Sequence, residues 1–198
     1  DRLKPIMEGA VTCAKTSNAK IAGGDIDSHA ELTIVTTAFG IVEKEFHCTR
    51  SGAKPGDLVC ITGSPGAAQA GFDGYSKYWE NLVMPKPQVF IGQKIARSGA
   101  TAMMDVSDGL AISLYDMGDA SNVGFVLWEN HLPLLPIINA EKYFLYGGGD
   151  YGLLFTIPRE KIVMVDTPIS IIGDVVEKEG VRIGDKVIEK RGYIHQIL

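Results

Sequence analysis

The sequence predicts a mixed α/β fold of the α+β class, on three observations. From residue 58 onward, short apolar or β-branched runs alternate with segments of helical periodicity. Hydrophobic residues make up 45% of the 198 positions, enough to bury a sizeable core. Clusters rich in Gly, Pro, Ser and Asp, such as RSGAKPGD at 50–57, separate the runs.

Taken in order, residues 2–18 place Leu3, Ile6, Met7, Ala10 and Val11 at i, i+3, i+4 spacing, which predicts a helix. Residues 21–22 predict a short strand ending at Gly23–Gly24–Asp25. Residues 31–43 (ELTIVTTAFGIVE), dense in β-branched side chains, predict a longer one. The break at 50–57 divides the chain into domains 1–49 and 50–198. LVCITG (58–63) reads as a strand that runs through a glycine-bearing loop into a small-residue helix. Beyond Pro85 and Pro87 come a helix at 89–98, a strand at 102–106, a helix at 109–120 and a strand at 124–128. Strands at 153–157 and 169–175 and a hairpin around 180–187 complete the pattern, with no internal repeat. The chain begins with Asp1 directly on a helical pattern, so a piece of a longer protein is expected.

Composition excludes several classes of function. A net charge of −5 without a Lys/Arg cluster argues against nucleic acid. No apolar run is long enough for a membrane span. Cys13, Cys48 and Cys60 form no CxxC pair and read as buried, reduced thiols of a cytoplasmic protein. There is no GxxxxGK[ST] loop, no GxSxG elbow and no Cys/His cluster. YGGGDYG (146–152) contains a literal GxGxxG. A strand-like LLFTIP follows it, however, where a dinucleotide site needs a helix.

MMDVSDGL (103–110) carries the chemistry. Asp105 and Ser107 share one face of an extended strand, and Asp108 stands where the next helix begins. Two readings are open. Ser107 or Asp108 caps that helix. Alternatively, the two carboxylates and the hydroxyl hold a Mg-nucleotide, because Mg²⁺ takes one or two carboxylates with phosphate oxygens and a helix N-terminus favours phosphate. AGGDID (22–27) is either an ordinary turn or a second acidic element placing Asp25 and Asp27 at the same metal.

These residues resemble the thiamine-monophosphate kinase family, in the superfamily of aminoimidazole ribonucleotide synthetase, selenophosphate synthetase and a hydrogenase maturation protein. AGGD, RSGAKPGDLVCITG, PKPQVFIGQKIA, MMDVSDGL, GGGDYGLLFTIP and RGYIHQ occur in the family's order across essentially the whole chain. The resemblance implies an aminoimidazole ribonucleotide synthetase-like two-domain architecture. It would comprise a C-terminal α/β domain and the end of an N-terminal domain whose strands form a barrel shared by a homodimer. It implies direct transfer of the γ-phosphoryl of ATP to thiamine monophosphate, with several Mg²⁺ ions and no catalytic side chain assigned. By motif, Asp25, Asp105 and Asp108 would bind metal, and Gly24, Asp25, Arg50 and Ser107 would bind ATP. Tyr193, Gly149, Asp150 and Gly152 would face the thiamine-bearing substrate. The family reads GGEDYELLF where this chain carries Gly149 and Gly152, so both glutamates are absent. Two other readings stand beside this one: a relative using ATP on a different small acceptor, and a nucleotide-binding protein without catalysis.

Overall fold

The structure, a computed structural model, describes residues 2–178 and 180–193. Its contacts divide the chain into two units, Asp1–Glu45 and Phe46–Leu198.

In the first unit α1 (Leu3–Thr16) forms where the periodicity places it, and none of its residues is buried. Thr12 and Thr16 return their hydroxyls to the carbonyls of Glu8 and Cys13. The strands expected at 21–22 and 31–43 do not form, and only a 3₁₀ turn at Lys44–Phe46 closes the segment. The reason is physical: β-branched residues favour a pleated, half-buried surface rather than an isolated strand. Among the described residues of this unit there is no second strand to supply that surface, and Val35, Phe39 and Ile41 remain exposed.

The second unit is built on one sheet. Its elements in chain order are β1 (Leu58–Ile61), α2 (Ala67–Phe72), α3 (Trp79–Val83), α4 (Val89–Arg97), β2 (Ala102–Val106) and α5 (Leu110–Ser121). β3 (Gly124–Leu127), α6 (Ala140–Tyr146), β4 (Gly152–Ile157), β5 (Ser170–Val176), β6 (Gly180–Ile183) and β7 (Lys186–Val187) follow. The sheet order is β2-β4-β1-β5-β3-β6-β7, antiparallel except for the β3–β6 pair. β1 is apolar at every position and buried at every position, as a strand covered on both faces must be.

Alternation along the strands sorts the core into two layers. Val59, Ile61, Val106, Leu154 and Phe125 pack under Leu114 and Met117 of α5 and Phe144 of α6. Leu58, Cys60, Phe155 and Ile157 pack under Ile95 of α4, with Ile162 and Val165 beside them. Of the three cysteines expected to be buried only Cys60 is; Cys48 is half-buried, and Cys13 is exposed because α1 has no buried face. Burial pushes the Cys60 thiol up to about 12, so it stays protonated and behaves as a small apolar group. One buried carboxylate interrupts this apolar interior. Asp57 accepts hydrogen bonds from the Lys54 amide at 3.1 Å and the Thr101 hydroxyl at 2.7 Å, and Thr101 in turn meets Thr156 at 2.6 Å. α6 was not legible in the sequence, where the run before Tyr146 carried no clear period. No helix among the described residues is long and apolar enough to cross a membrane.

Phe155 is fully buried at the centre of the α4-facing layer. Phe155→Ala is expected to lower the unfolding free energy by about 3–5 kcal/mol, read from the urea midpoint. A loss under about 1 kcal/mol, the scale of a change at an exposed site, would show that this layer is not part of the cooperative core.

Candidate active site

The register of β2 on β4 brings the two glycine- and acid-rich motifs together. Asp105 pairs with Leu153 and Val106 with Gly152, so the start of DVSDG and the end of GGGDYG occupy adjacent positions. Beyond the ladder the two loops stay joined. The Tyr151 N–H donates to the Val106 carbonyl at 3.1 Å, and the Gly149 N–H donates to the Ser107 carbonyl at 2.7 Å. A third segment closes over them, since the Tyr193 N–H donates to the Asp108 carbonyl at 2.7 Å. Its Cβ stands 3.3 Å from where a Cβ on Gly148 would lie. Ile194, His195 and Gln196 of that motif lie outside the described residues.

Of the two readings of the Asp105–Asp108 stretch, the cap is not what forms. Gly109, at φ 109°, occupies the N-cap of α5, and no side chain caps the first turn. Asp105 and Asp108 are exposed, and among the described residues neither carboxylate accepts a hydrogen bond or forms an ion pair. Two open carboxylates and a hydroxyl therefore flank an uncapped helix N-terminus.

Asp150 has the opposite environment. Its carboxylate accepts the Gly66 N–H at 2.7 Å on one oxygen and the Ala68 N–H at 2.8 Å on the other. Burial raises its pKa, and the amides of Ala68, Gly66 and Ala67 oppose that rise. Asp150 is thus a clasp that draws the first turn of α2 onto the glycine segment. No local pattern announces this contact, because its two ends lie 84 residues apart in the chain. A second tie acts at the other end of α2. Tyr143 donates its hydroxyl to Asp73 at 2.8 Å, and that hydrogen bond is the main reason its pKa rises to about 12.

The remaining expected residues lie apart from this cluster in chain and element. Gly24 and Asp25 belong to the first unit, where Asp25 and Asp27 are exposed and each accepts the next residue's amide, at 2.9 and 2.7 Å. Arg50 is exposed, and its carbonyl accepts from Ser121 at the end of α5.

Among the described residues no group of three or more His, Cys, Asp or Glu side chains converges as a cage. Asp105 and Asp108 suit an ion that takes most of its oxygens from phosphate and water, which is how Mg²⁺ is held beside nucleotides.

The chain is 43% identical over 98% of its length to a thiamine-monophosphate kinase from Methanospirillum hungatei, and spans 69% of that relative. The chain belongs to the thiamine-monophosphate kinase family. Its motifs, in the family's order, have the fold that accompanies them. The structure of AaThiL complexed with AMPPCP and TMP superposes with a TM-score of 0.67 at 30% identity, covering 75% of this chain and 54% of that one. The chain therefore spans about half the length of that solved relative. Escherichia coli HypE, a hydrogenase maturation protein, shares the fold at 18% identity and a TM-score of 0.60, covering 74% of this chain and 54% of its own. This agrees with the aminoimidazole ribonucleotide synthetase-like architecture that the motifs imply. No protein-family model matches the chain.

The two positions that depart from the family's motif are tightly constrained. Gly149 has φ +88°, and a Cβ on Gly152 would stand 2.8 Å from the Thr62 carbonyl. Gly149→Ala is expected to cost about 1–2 kcal/mol through the left-handed backbone, and Gly152→Ala about 1–3 kcal/mol through overpacking. Equilibrium urea unfolding checks both, and an unchanged midpoint for Gly152→Ala would disprove the close approach to Thr62.

Proposed function

We propose that this chain is the greater part of an ATP- and Mg²⁺-dependent phosphotransferase that moves the γ-phosphoryl of ATP onto the phosphate of thiamine monophosphate, giving ADP and thiamine diphosphate. One observation carries the reading: two unengaged carboxylates and a hydroxyl at an uncapped helix N-terminus, faced by a backbone-rich glycine loop and by Tyr193. The family supports it, as does the ATP-analogue and TMP complex of AaThiL.

The chemistry asks little of side chains. A phosphate monoester has a second pKa of about 6, so near neutral pH the acceptor oxygen is already an anion and needs no general base. The difficulty is bringing two polyanions together on a chain that itself carries −5. Bound Mg²⁺ neutralises charge on the phosphates and orients them. Asp105 and Asp108 would hold it. Ser107 and the first amides of α5 would meet nucleotide oxygens, and Arg50 a phosphate. The family's motif also assigns Asp25 to metal and Gly24 and Asp25 to ATP. Gly149, Gly152 and Tyr193 would line the acceptor side. Asp150, engaged at both oxygens, serves that side by fixing the loop's shape.

The same reading takes residues 1–49 as part of a nucleotide-binding domain that forms a homodimer, and 50–198 as the α/β domain. A second reading, transfer to a different small acceptor, is favoured by Gly149 and Gly152, where the family's two glutamates are missing.

Two experiments test the proposal. The natural full-length protein, incubated with Mg-ATP and thiamine monophosphate and resolved by chromatography with mass detection, is expected to form thiamine diphosphate and ADP in equal amounts. ATP bound but unconsumed would sink the acceptor assignment. Asp105→Asn is expected to weaken ATP binding in Mg²⁺ about tenfold or more, the scale of a lost charge-assisted contact of roughly 1.5–3 kcal/mol, with little change in the unfolding midpoint. Unchanged affinity by calorimetry would remove Asp105 from the metal set.

A further inference from the structure

Residues 188–193 form a strap from the sheet to the site, tied at nearly every step. The Ile188 amide donates to the Val181 carbonyl at 2.9 Å, and the Ile188 carbonyl accepts the Tyr115 hydroxyl at 2.6 Å. Lys190 meets Asp119 at 2.5 Å and lies 5.7 Å over the Tyr115 ring. Gly192 runs so close to α5 that a Cβ there would stand 2.4 Å from the Asp108 carbonyl. Tyr193 then hydrogen-bonds that same carbonyl. In the middle, the Arg191 guanidinium lies 4.0 Å over the ring of Tyr146, the last residue of α6 and the one before Gly147.

We propose that Arg191 is a positioning residue: through its stack on Tyr146 it seats Tyr193 against Asp108 and sets the gap between Tyr193 and the glycine loop, and so governs acceptor affinity rather than ATP affinity. The identity of the acceptor rests on the phosphotransferase reading; the strap does not. The other ionic tie of Arg191, to Glu189 at 3.4 Å, joins two exposed side chains of the strap itself and anchors it to nothing. Tyr146 is half-buried and belongs to the packed layer under α6, so its ring face is a fixed platform. Because Tyr146 leads into Gly147–Gly148 and Tyr193 lies over Gly148, this one stack links both walls of the gap. A guanidinium is suited to it, since its plane lies flat on a ring and an ammonium cannot.

The test uses the natural full-length protein with Arg191→Ala, Arg191→Lys, Tyr146→Leu and the Arg191→Ala/Tyr146→Leu pair. Arg191→Ala is expected to raise KM for thiamine monophosphate about two- to fivefold, the scale of a cation–π contact at an exposed site, with KM for ATP unchanged. Arg191→Lys should fall between, and the double variant should be no worse than either single change. Hydrogen exchange at the Tyr193 amide should quicken in Arg191→Ala. Equal rises in both Michaelis constants, additive losses, or unchanged protection at Tyr193 would overturn the proposal. If the unmodified protein transfers nothing to thiamine monophosphate, the acceptor reading fails instead. Exchange at Tyr193 then decides the strap alone, faster exchange upholding it and unchanged exchange ending it.

Discussion

The antiparallel register of β2 on β4 is the constraint on which the site depends. Val106 opposite Gly152 puts the last residue of one strand beside the first of the other, so both loops leave the sheet at the same point. The register is held by the layers beneath it. Met104 and Leu154 face α5 and α6, while Met103 and Leu153 face α4. A slip of one residue would turn each pair to the wrong face. It would also swing Asp105 into the layer that holds Phe144, where an unpaired carboxylate is strongly disfavoured. Core packing therefore fixes where Asp105 stands, and the hydrogen bonds of the glycine loop and Tyr193 to the Ser107 and Asp108 carbonyls carry that order on to Asp108.

The aspartates of this region divide by environment rather than by sequence context. Asp57 and Asp150 are turned inward and occupied, one by an amide and a hydroxyl, the other by the Gly66 and Ala68 amides at the start of α2. Asp105 and Asp108 are exposed and unoccupied. A carboxylate whose lone pairs are taken shapes its surroundings, and one whose lone pairs are open to solvent can recruit a cation. The fold thus supplies both a rigid floor and an open pair of ligands, and the rigid floor is what lets the open pair be placed accurately.

How much of this was legible in the sequence follows the range of the interactions. From residue 58 onward the strands and most helices were readable, because each owes its form to its own pattern of burial. The rejection of a dinucleotide fingerprint at 147–152 also rested on local pattern, and β4 does begin at Gly152. The strand expected at 31–43 failed for want of a neighbour, which no local pattern can supply. α6 has seven residues, too few for a periodicity to declare itself. At Asp105–Asp108 the sequence left a cap and a ligand site undecided. Gly109 decided it, by taking the N-cap with a backbone that the two candidates do not need to adopt. The clasp of Asp150 was beyond reach, since its partners are backbone amides and carry no residue signature.

The glycines at 149 and 152 join specificity to fold. A side chain at 152 would collide with the Thr62 carbonyl, and one at 149 would be held in a left-handed backbone against Ala68. The loop's course is therefore one that bare backbone suits, and a glutamate at either place would require the loop to move. On the proposed reading, the acceptor side then presents backbone and the exposed rings of Tyr151 and Tyr193 in place of two carboxylates. Tyr151 is itself held at φ 52°, a conformation a tyrosine adopts only when its surroundings impose it. A thiamine ring carries positive charge, and aromatic faces attract cations without fixing a hydrogen-bond pattern. Recognition on this chain would then depend on the width of an aromatic gap, and the width of that gap is set by how the strap and the glycine loop are held.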